Sequence, residues 1–145
     1  MIEFDVVPYD RAAHESFVMA SFAKCLGDQW PWCFLPRLAL REDLRRLLAG
    51  PDTRTLVAVA PDDADNFLGW ACCRPALNEV VFAFTKYEYR QKFGVCSTLV
   101  LAAGVDLTKP TGVRYWTRAA ERIGRRAGWN LYHRVTEDGE QEVAA

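Results

Sequence analysis

One stretch near the middle of the chain sets a strand, a glycine-centred turn and a helix in direct succession. The residues "NEVVFAFT" (78–85) are typical of a strand, and "YRQKFGVCSTLVLAAGVD" (89–106) places a charged turn around Gly94 before an apolar, helix-like run. Glycine lets the backbone bend sharply there, and the first N–H groups of the following helix point outward without intrahelical acceptors. Such a helix start binds anions, most often phosphate, so the sequence predicts a phosphate-binding turn.

The composition fits one folded domain. The chain has 145 residues, of which 50% are apolar and 26% are charged, close to the averages for globular proteins. We expect residues 1–135 to form a single domain and residues 136–145, "TEDGEQEVAA", to be an acidic, mobile tail. The net charge of −1 lacks the positive excess of most nucleic-acid-binding proteins, so a nucleic-acid partner is disfavoured.

The five cysteines indicate neither a disulfide framework nor a metal site. They form an odd set without a C-x-x-C pair, and the adjacent Cys72 and Cys73 must point to opposite faces of a strand. The N-terminal residues are acidic where a secretion signal is basic, and no run approaches about 18 apolar residues. We therefore expect a cytoplasmic protein with no metal, no export signal and no contact with a membrane.

Strand-like and helix-like segments alternate along the chain. Two runs, "RTLVAVA" and "FLGWACCRP", flank the turn-rich "PDDADN" and predict an antiparallel hairpin. The predicted segments are a strand ("IEFDVV"), helices over 11–26 (capped by Asp10) and 36–50, the hairpin, the strand–turn–helix unit reaching about 107, a strand (111–117), a helix (118–128) and a strand (129–135). The order β-α-α-β-β-β-α-β-α-β predicts a single α/β (α+β) domain.

Two motifs make this order resemble the GNAT (GCN5-related N-acetyltransferase) superfamily. In that family the fourth strand leads into a pyrophosphate loop written Q/R-x-x-G-x-G/A, and here Gln91-Lys92-Phe93-Gly94-Val95-Cys96 stands in that place. The last helix and strand of the family often read N-x-x-A-x-x-x-Y-x-x-x-G-F, and the corresponding residues are Thr117, Ala120, Gly124, Gly128 and Trp129. Stretches such as "SFAKCLGDQWPW" and "VRYWTRAAERI" are similar to a GNAT-like subgroup common in tailed bacteriophages and prophages.

The resemblance implies a fold, a cosubstrate and a reaction. The fold is a mixed, mainly antiparallel central sheet, flanked by helices and splayed between its fourth and fifth strands to admit coenzyme A. The reaction is the direct transfer of an acetyl group from acetyl-coenzyme A to an amine, without a metal. The implied cofactor-binding residues are Phe84 and Thr85, near the N–H that holds the thioester carbonyl, and the loop and helix start Gln91, Lys92, Phe93, Gly94, Val95, Cys96 and Ser97.

The usual general acid of the family is missing. Many members have a tyrosine, which protonates the departing thiolate, where this chain has Gly124. Tyr115, Tyr132 or water can replace it, although each tyrosine also suits aromatic packing. Glu79 is the candidate base, acting through water, and its alternative is an exposed charge at a strand start. For Cys96, packing is favoured over a reactive thiol.

Two further groups are candidates for contacts with an acceptor or a partner. Trp30 and Trp32 lie between the first two helices, where GNAT relatives shape the acceptor pocket. They either line a site for an apolar or aromatic acceptor or cap the core. Arg118 and Arg122 begin a basic stripe on the last helix, which is either a solvated face or a contact to a coenzyme A phosphate or an acidic partner.

Three functional interpretations stay open. The first is an acyl-coenzyme A-dependent N-acetyltransferase with an amine acceptor that the sequence does not identify. The second is a catalytically inactive GNAT-fold phage protein with a structural or partner-binding role, in virion assembly or in the modulation of a host protein. The third is a small nucleic-acid-binding domain that uses the arginine stripe. A phage origin places the protein in the host cytoplasm or the virion, and pairing of edge strands allows a homodimer.

Overall fold

The computed structural model describes residues 3–27, 29–90 and 94–134, and its helices and strands follow the predicted order. Gln91, Lys92 and Phe93 of the predicted loop, and the acidic tail, lie outside the described residues. The strands are β1 (Asp5–Pro8), β2 (Arg54–Ala60), β3 (Asp63–Arg74), β4 (Glu79–Thr85), β5 (Thr111–Val113) and β6 (Leu131–His133), and the helices are α1 (Arg11–Leu26), α2 (Arg37–Leu48), α3 (Val95–Ala102) and α4 (Arg118–Ala127). In the described part of the chain, no helix has the length and apolarity needed to span a membrane.

The strands form one mixed sheet in the order β1-β2-β3-β4-β5-β6. The pairs from β1 to β4 are antiparallel, whereas β5 runs parallel to β4 and β6 runs parallel to β5. Parallel neighbours need a crossover connection, and α3 and α4 supply the two crossovers. The prediction of a mixed, mainly antiparallel sheet with a β2–β3 hairpin is therefore confirmed.

Some boundaries differ from the sequence-based expectation. The helix α3 ends at Ala102 rather than near 107, because Gly104 adopts a left-handed φ of 99° that stops the helix. The strand β3 begins at Asp63, which pairs with Ala60, so most of the predicted turn is already strand. The strands β5 and β6 are only three residues long. These two short strands make the C-terminal part of the sheet narrow.

Local capping signals fix the ends of two helices. The Asp10 carboxylate accepts a hydrogen bond from the N–H of Ala13 at 3.2 Å, as the prediction of a cap requires. At α4, the Thr117 hydroxyl oxygen accepts from the N–H of Ala120 at 3.1 Å, and Gly128, with φ of 75°, ends the helix. Thr117 thus turns the chain sharply from the sheet into α4.

Two apolar cores lie on opposite faces of the sheet. The first packs α1 and α2 against β2, β3 and β4 around Phe22, Leu44 and Trp70, and the second packs α3 against the other face around Leu68 and Leu99. The neighbouring residues Cys72 and Cys73 belong to different cores, as strand alternation predicts. The helices therefore cover both faces of the antiparallel half of the sheet.

An irregularity in β4 opens the sheet. Cys73 pairs with Val80 and Cys72 pairs with Phe82, so Val81 is an extra residue on β4, which makes a β-bulge. A bulge bends its strand and increases the local twist. The ladder between β4 and β5 pairs only Glu79 and Val80 of β4, one further bond joins the N–H of Tyr115 to the carbonyl of Val81, and the described strands do not pair beyond this bulge. The predicted splay between the fourth and fifth strands is present.

Candidate functional site

An apolar cleft of about 90 Å³ opens where β4 and β5 diverge. Its walls are the start of α3 on one side and the inner face of α4 on the other. The lining residues are Val80, Phe82 and Ala83 of β4, Cys96, Ser97 and Val100 of α3, Leu107, Val113 and Tyr115, and Thr117, Ala119, Ala120, Ile123, Trp129 and Leu131 from α4 and its surroundings. The cleft is therefore a narrow apolar slot that ends on the edge of β4.

Along β4, the backbone N–H and C=O groups of successive residues point alternately toward β3 and toward the cleft. The N–H of Lys86 donates to the carbonyl of Leu68 at 2.9 Å, so Lys86 faces the β3 side. Phe84 lies two residues earlier in the same antiparallel ladder and faces the same way. The amide groups of Ala83 and Thr85 consequently point to the opposite side, toward the cleft.

Two other hydrogen bonds agree with this orientation. The carbonyl of Val81 accepts the N–H of Tyr115 at 3.2 Å, which places Val81 on the cleft side. The carbonyl of Thr85, on the same side, accepts a hydrogen bond from Nε of Arg90 at 2.7 Å. Of the two residues predicted near the amide that holds the thioester carbonyl, Thr85 has its N–H on the cleft side of β4 and Phe84 does not, and neither residue lines the cleft. The sequence did not identify Ala83, whose position depends on the register with β3.

The start of α3 lies at the mouth of the cleft. Gly94 adopts a left-handed φ of 64°, and the first intrahelical bond joins the N–H of Thr98 to the carbonyl of Gly94 at 3.0 Å. The N–H groups of Val95, Cys96 and Ser97 precede that bond and find no acceptor among residues 3–27, 29–90 and 94–134. This first turn has the donors and the dipole orientation that an anion needs.

Cys96 packs at this helix start, where its surroundings favour the protonated thiol. Its thiol lines the cleft, and burial raises its pKa to about 11. A thiol with this pKa stays protonated at neutral pH, although a helix N-terminus favours the thiolate. The geometry agrees with the packing role favoured by the sequence.

Glu79 lies at the closed end of the β4–β5 pair and is fully buried. Its Oε1 is 3.3 Å from Nη1 of Arg74, and its Oε2 is 3.9 Å from Nε of Arg134. Burial raises the pKa of Glu79, and the positive charges of Arg74, Arg134 and Arg114 oppose this rise. Glu79 is neither an exposed charge nor part of the cleft lining, because its neighbour Val80 has the cleft-facing side chain.

Tyr115 borders the cleft and is bound to an acid that the sequence did not single out. Its hydroxyl donates to a carboxylate oxygen of Asp43 on α2, and Nη2 of Arg114 lies 3.2 Å from the same oxygen. Burial and the bond to Asp43 raise the pKa of Tyr115 well above its usual value. Burial also acts to raise the pKa of Asp43, but the bonds and charge from Tyr115, Arg114 and Arg46 outweigh it and hold that pKa below its usual value. The Tyr115 proton is therefore directed at Asp43.

Solved structures with a similar arrangement of strands and helices include acetyltransferases. The complex of AAC(6')-Iy with the bisubstrate analogue CoA-S-monomethyl-acetylneamine covers 93% of this chain and 96% of its own, with a TM-score of 0.55 and 14% identity. The aminoglycoside 6'-N-acetyltransferase AAC(6')-Ih from Acinetobacter baumannii covers the same shares, with a TM-score of 0.54 and 12% identity.

This chain has the GNAT acetyltransferase fold. A GCN5-related glucosamine N-acetyltransferase region of a fungal multi-domain GH3 β-N-acetylglucosaminidase is also similar, over 71% of this chain and 12% of that much longer one, with a TM-score of 0.53 and 18% identity. No protein-family model matches the sequence, and no curated protein matches it. The likeness is thus one of fold, at low identity.

Two further positions named by the GNAT resemblance, Gly124 and Tyr132, are not among the residues that line the cleft. Gly124 is buried in α4, and a Cβ placed there would lie 3.1 Å from Cδ1 of Leu131 on β6. The close packing of α4 on Leu131 leaves little room for a larger side chain at this position. Tyr132 on β6 is 42% exposed and does not line the cleft. Of the residues predicted as catalytic, only Tyr115 reaches the cleft.

The predicted acceptor residues lie in different surroundings. Trp30 is 76% exposed, whereas Trp32 is half-buried, donates from Nε1 to the carbonyl of Trp116 at 2.8 Å and packs its ring 4.9 Å from that of Tyr115. Trp32 therefore caps the core, and Trp30 remains on the surface beside it. The side chains of Arg118 and Arg122 lie on the exposed face of α4.

Proposed function

We propose that this protein is an acyl-coenzyme A-dependent N-acetyltransferase that transfers the acetyl group of acetyl-coenzyme A directly to an amine. The observation that carries the proposal is the apolar cleft between β4 and α4 with the first turn of α3 at its mouth. The GNAT fold supports it, since the solved structures that match this chain include a coenzyme A complex of an aminoglycoside N-acetyltransferase.

In this proposal, each part of the cosubstrate meets a matching part of the cleft. The pyrophosphate binds at the N–H groups of Val95, Cys96 and Ser97, and the predicted loop residues 91–93 complete the cradle. The apolar slot takes the pantetheine arm, and the amides of Ala83 and Thr85 pair with its polar atoms and with the thioester carbonyl. An N–H aimed at that carbonyl stabilises the negative charge that develops on its oxygen during attack.

The transfer forms a C–N bond as the C–S bond breaks, and a proton passes from the amine toward the thiolate. Because the Tyr115 proton is directed at Asp43 and Glu79 is enclosed by arginines, we assign both proton movements to water. Coenzyme A tolerates this arrangement, since a thiol with a pKa of about 8.5 leaves readily as a thiolate. The protein then contributes mainly orientation and polarisation.

Calorimetric titration of acetyl-coenzyme A into the wild type tests the cofactor site. Gly94→Glu places a carboxylate at the start of α3 and should abolish binding. Gly128→Glu is the matched control, because Gly128 has a similar φ of 75° with open space around it but lies beyond α4. We expect micromolar binding in the wild type and the control; no binding to the folded wild type would remove the proposal.

The acceptor should differ from the aminoglycosides named for the solved structures. Aminoglycosides are polycations, whereas the sheet face beside α2 carries Arg46, Arg74, Arg114 and Arg134. The carboxylates of Asp43 and Glu79 offset part of this positive charge, and the excess repels a polycation, so we propose an uncharged or acid-bearing amine that enters near Trp30. Initial rates with an aminoglycoside, glucosamine and an acidic dipeptide compare the classes, and a preference for the aminoglycoside would contradict this choice.

A second candidate is a GNAT-fold protein that binds a partner without catalysis, for instance in phage assembly or host modulation. The observation that favours it is Gly124 against Leu131, which leaves no tyrosine at the family position. Under this reading the surface around Trp30, Arg118 and Arg122 holds a protein partner. Binding of acetyl-coenzyme A without turnover on any amine would favour this candidate, and turnover would exclude it.

A further inference from the structure

Two positively charged side chains lie over aromatic rings at the end of β4. The Nζ atom of Lys86 lies 5.8 Å from the ring centre of Phe17 on α1. The guanidinium of Arg90 lies 5.7 Å from the ring centre of Phe84 and 5.9 Å from that of Tyr87. The rings of Phe17 and Phe84 meet edge to face, with their centres 5.9 Å apart. The two cations and the three rings therefore form one cluster, which we call the cation–aromatic cluster.

The backbone fixes Arg90 and leaves the end of its side chain open. Its Nε donates to the carbonyl of Thr85 at 2.7 Å. Within residues 3–27, 29–90 and 94–134, the Nη1 and Nη2 atoms of Arg90 and the Nζ atom of Lys86 have no hydrogen-bond acceptor and no carboxylate at ion-pair distance. Arg90 is exposed and Lys86 is half-buried. The N–H groups of a guanidinium held in this way are placed to bind a carboxylate.

The cluster and the start of α3 lie on opposite faces of the sheet. Phe17 and Phe84 pack against the first core, with α1 and α2, whereas Val95 of α3 belongs to the second core. Thr85 lies between them, because its N–H is on the cleft side of β4 and its carbonyl binds Arg90. A group bound to Arg90 would thus lie beside the proposed site of the thioester carbonyl and away from the proposed site of the pyrophosphate.

We propose that Arg90 and Lys86 recognise a carboxylate on the amine acceptor, which is therefore an amino acid, a short peptide or another amine that carries an acid. This inference rests on the proposed acetyltransferase function and narrows its acceptor class. Arg90 supplies the hydrogen bonds, and Lys86 adds a second positive charge on the same face. The rings of Phe84 and Tyr87 keep the guanidinium oriented. The amine end of the acceptor then lies near Thr85, within reach of the thioester.

A matched pair of dipeptides tests the site without requiring turnover. Glycyl-phenylalanine and glycyl-phenylalaninamide share the same amine and ring, and only the first carries a carboxylate. Each is titrated, with and without coenzyme A, into the isotope-labelled wild type and the variants Arg90→Gln and Lys86→Gln, and the shifts of the amide resonances give the dissociation constants. Arg54→Gln is the matched control, since it removes the same charge from an exposed residue at the other end of β3, opposite Cys73.

The wild type and Arg54→Gln should bind glycyl-phenylalanine about tenfold more tightly than its amide, and Arg90→Gln should remove most of this preference. Lys86→Gln should reduce the preference by about threefold, and it keeps the test valid if Arg90→Gln does not fold. A wild type without the preference, or folded variants that both retain it, would overturn the inference. A loss of acetyl-coenzyme A affinity in both variants, with the preference intact, would assign the cations to the phosphates of the cosubstrate and would also overturn it.

The carboxylate site and the acetyltransferase function fail separately in these experiments. Acetyl transfer to both dipeptides at equal rates, with equal affinities, would retain the function and remove the carboxylate site. A preference for glycyl-phenylalanine that depends on Arg90, in a protein that does not bind acetyl-coenzyme A, would support the carboxylate site and remove the function.

Discussion

At the scale of single residues, Glu79 departs furthest from its sequence-based reading. A charge at the start of a strand is normally exposed, yet this one is fully buried. Its counterions, Arg74 and Arg134, come from the end of β3 and the end of β6. Only the assembled sheet brings them together, so spacing along the chain carries no sign of the cluster.

The raised pKa of Glu79 predicts a specific pH dependence of stability. A carboxyl whose pKa is higher in the folded than in the unfolded state stabilises folding most when it is protonated. That contribution is complete below the unfolded pKa of about 4.3 and is lost as the pH rises through the folded value. Glu79→Gln keeps the shape of the side chain without its titration, so the variant should gain stability relative to the wild type as the pH rises.

Urea unfolding between about pH 4 and pH 8 measures the difference in the free energy of unfolding between the two proteins. The Glu79 carboxyl passes from protonated to ionised over this range. Glu42→Gln, on the exposed face of α2, is the control and should follow the wild type at each pH. A wild type that gains stability relative to Glu79→Gln as the pH rises would mean that the arginines outweigh the burial of the carboxyl.

The roles of Asp10 and Asp43 show which contacts could be predicted from the sequence and which could not. Asp10 was predicted as a helix cap because the cap and its partner lie three residues apart. The bond between Tyr115 and Asp43 joins residues 72 positions apart, and no local pattern marks Asp43 among the charges of α2. The sequence therefore reveals a role that depends on near neighbours, such as the cap at Asp10, and does not reveal one that depends on tertiary packing, such as that of Asp43.

At the scale of elements, α4 carries the clearest test of the missing tyrosine. Gly124→Tyr would restore the residue type of the family, but its Cβ would already crowd Leu131. We expect a loss of about 1–3 kcal/mol in the free energy of unfolding and no gain in acetyl transfer, because overpacking a filled interface forces side chains from their preferred positions. Gly124→Ala adds the same Cβ without the ring: alanine favours the helix by about 1 kcal/mol over glycine, and any shortfall from that gain measures the crowding of Leu131 by the Cβ alone.

Chemical denaturation and initial rates on the same preparations check both halves of this prediction. An active, fully stable Gly124→Tyr protein would show that Leu131 moves aside and that the cleft lacks only its acid.

The limits of sequence-based prediction are also visible in α3. The start of this helix was identified because Gly94 and the loop motif mark a turn that can be recognised in the sequence itself. Its end was placed too late because residues 103–107 continue the apolar pattern, and the positive φ of Gly104 was not recognised as a stop. The apolar periodicity of the sequence thus identified α3 as a helix, but the backbone conformation at Gly104 set where it ends.

At the scale of the whole molecule, the order of the strands and helices was predictable from two signals. The apolar residues of each segment repeat with the period of a strand or of a helix, and turn-forming residues separate the segments. The β4 bulge was not predictable, since it exists only in the register of Cys72 and Cys73 against β4. The position of the cleft was inferred from the family resemblance, whereas its lining depends on that bulge. The fold was thus accessible from sequence, and the detailed shape of the site was not.

The short ladder between β4 and β5 also affects how the molecule opens. Residues 111–134 join β4 through few backbone bonds, including those from Arg114 to Val80 at 3.0 Å and from Tyr115 to Val81 at 3.2 Å. This C-terminal unit should unfold locally while the antiparallel strands stay intact. Amide hydrogen exchange at Arg114 and Tyr115 should be about tenfold or more faster than at Val57 in β2.

Acetyl-coenzyme A should slow exchange at Arg114 and Tyr115 most, since a ligand held between α3 and α4 binds only the closed form. Equal exchange at all three positions would mean that the sheet opens as one cooperative unit. With the expected result, the strand pair that makes room for a ligand is also the place where the protein transiently opens. Protection of the amides from β5 to β6 would then report directly whether the cleft is occupied.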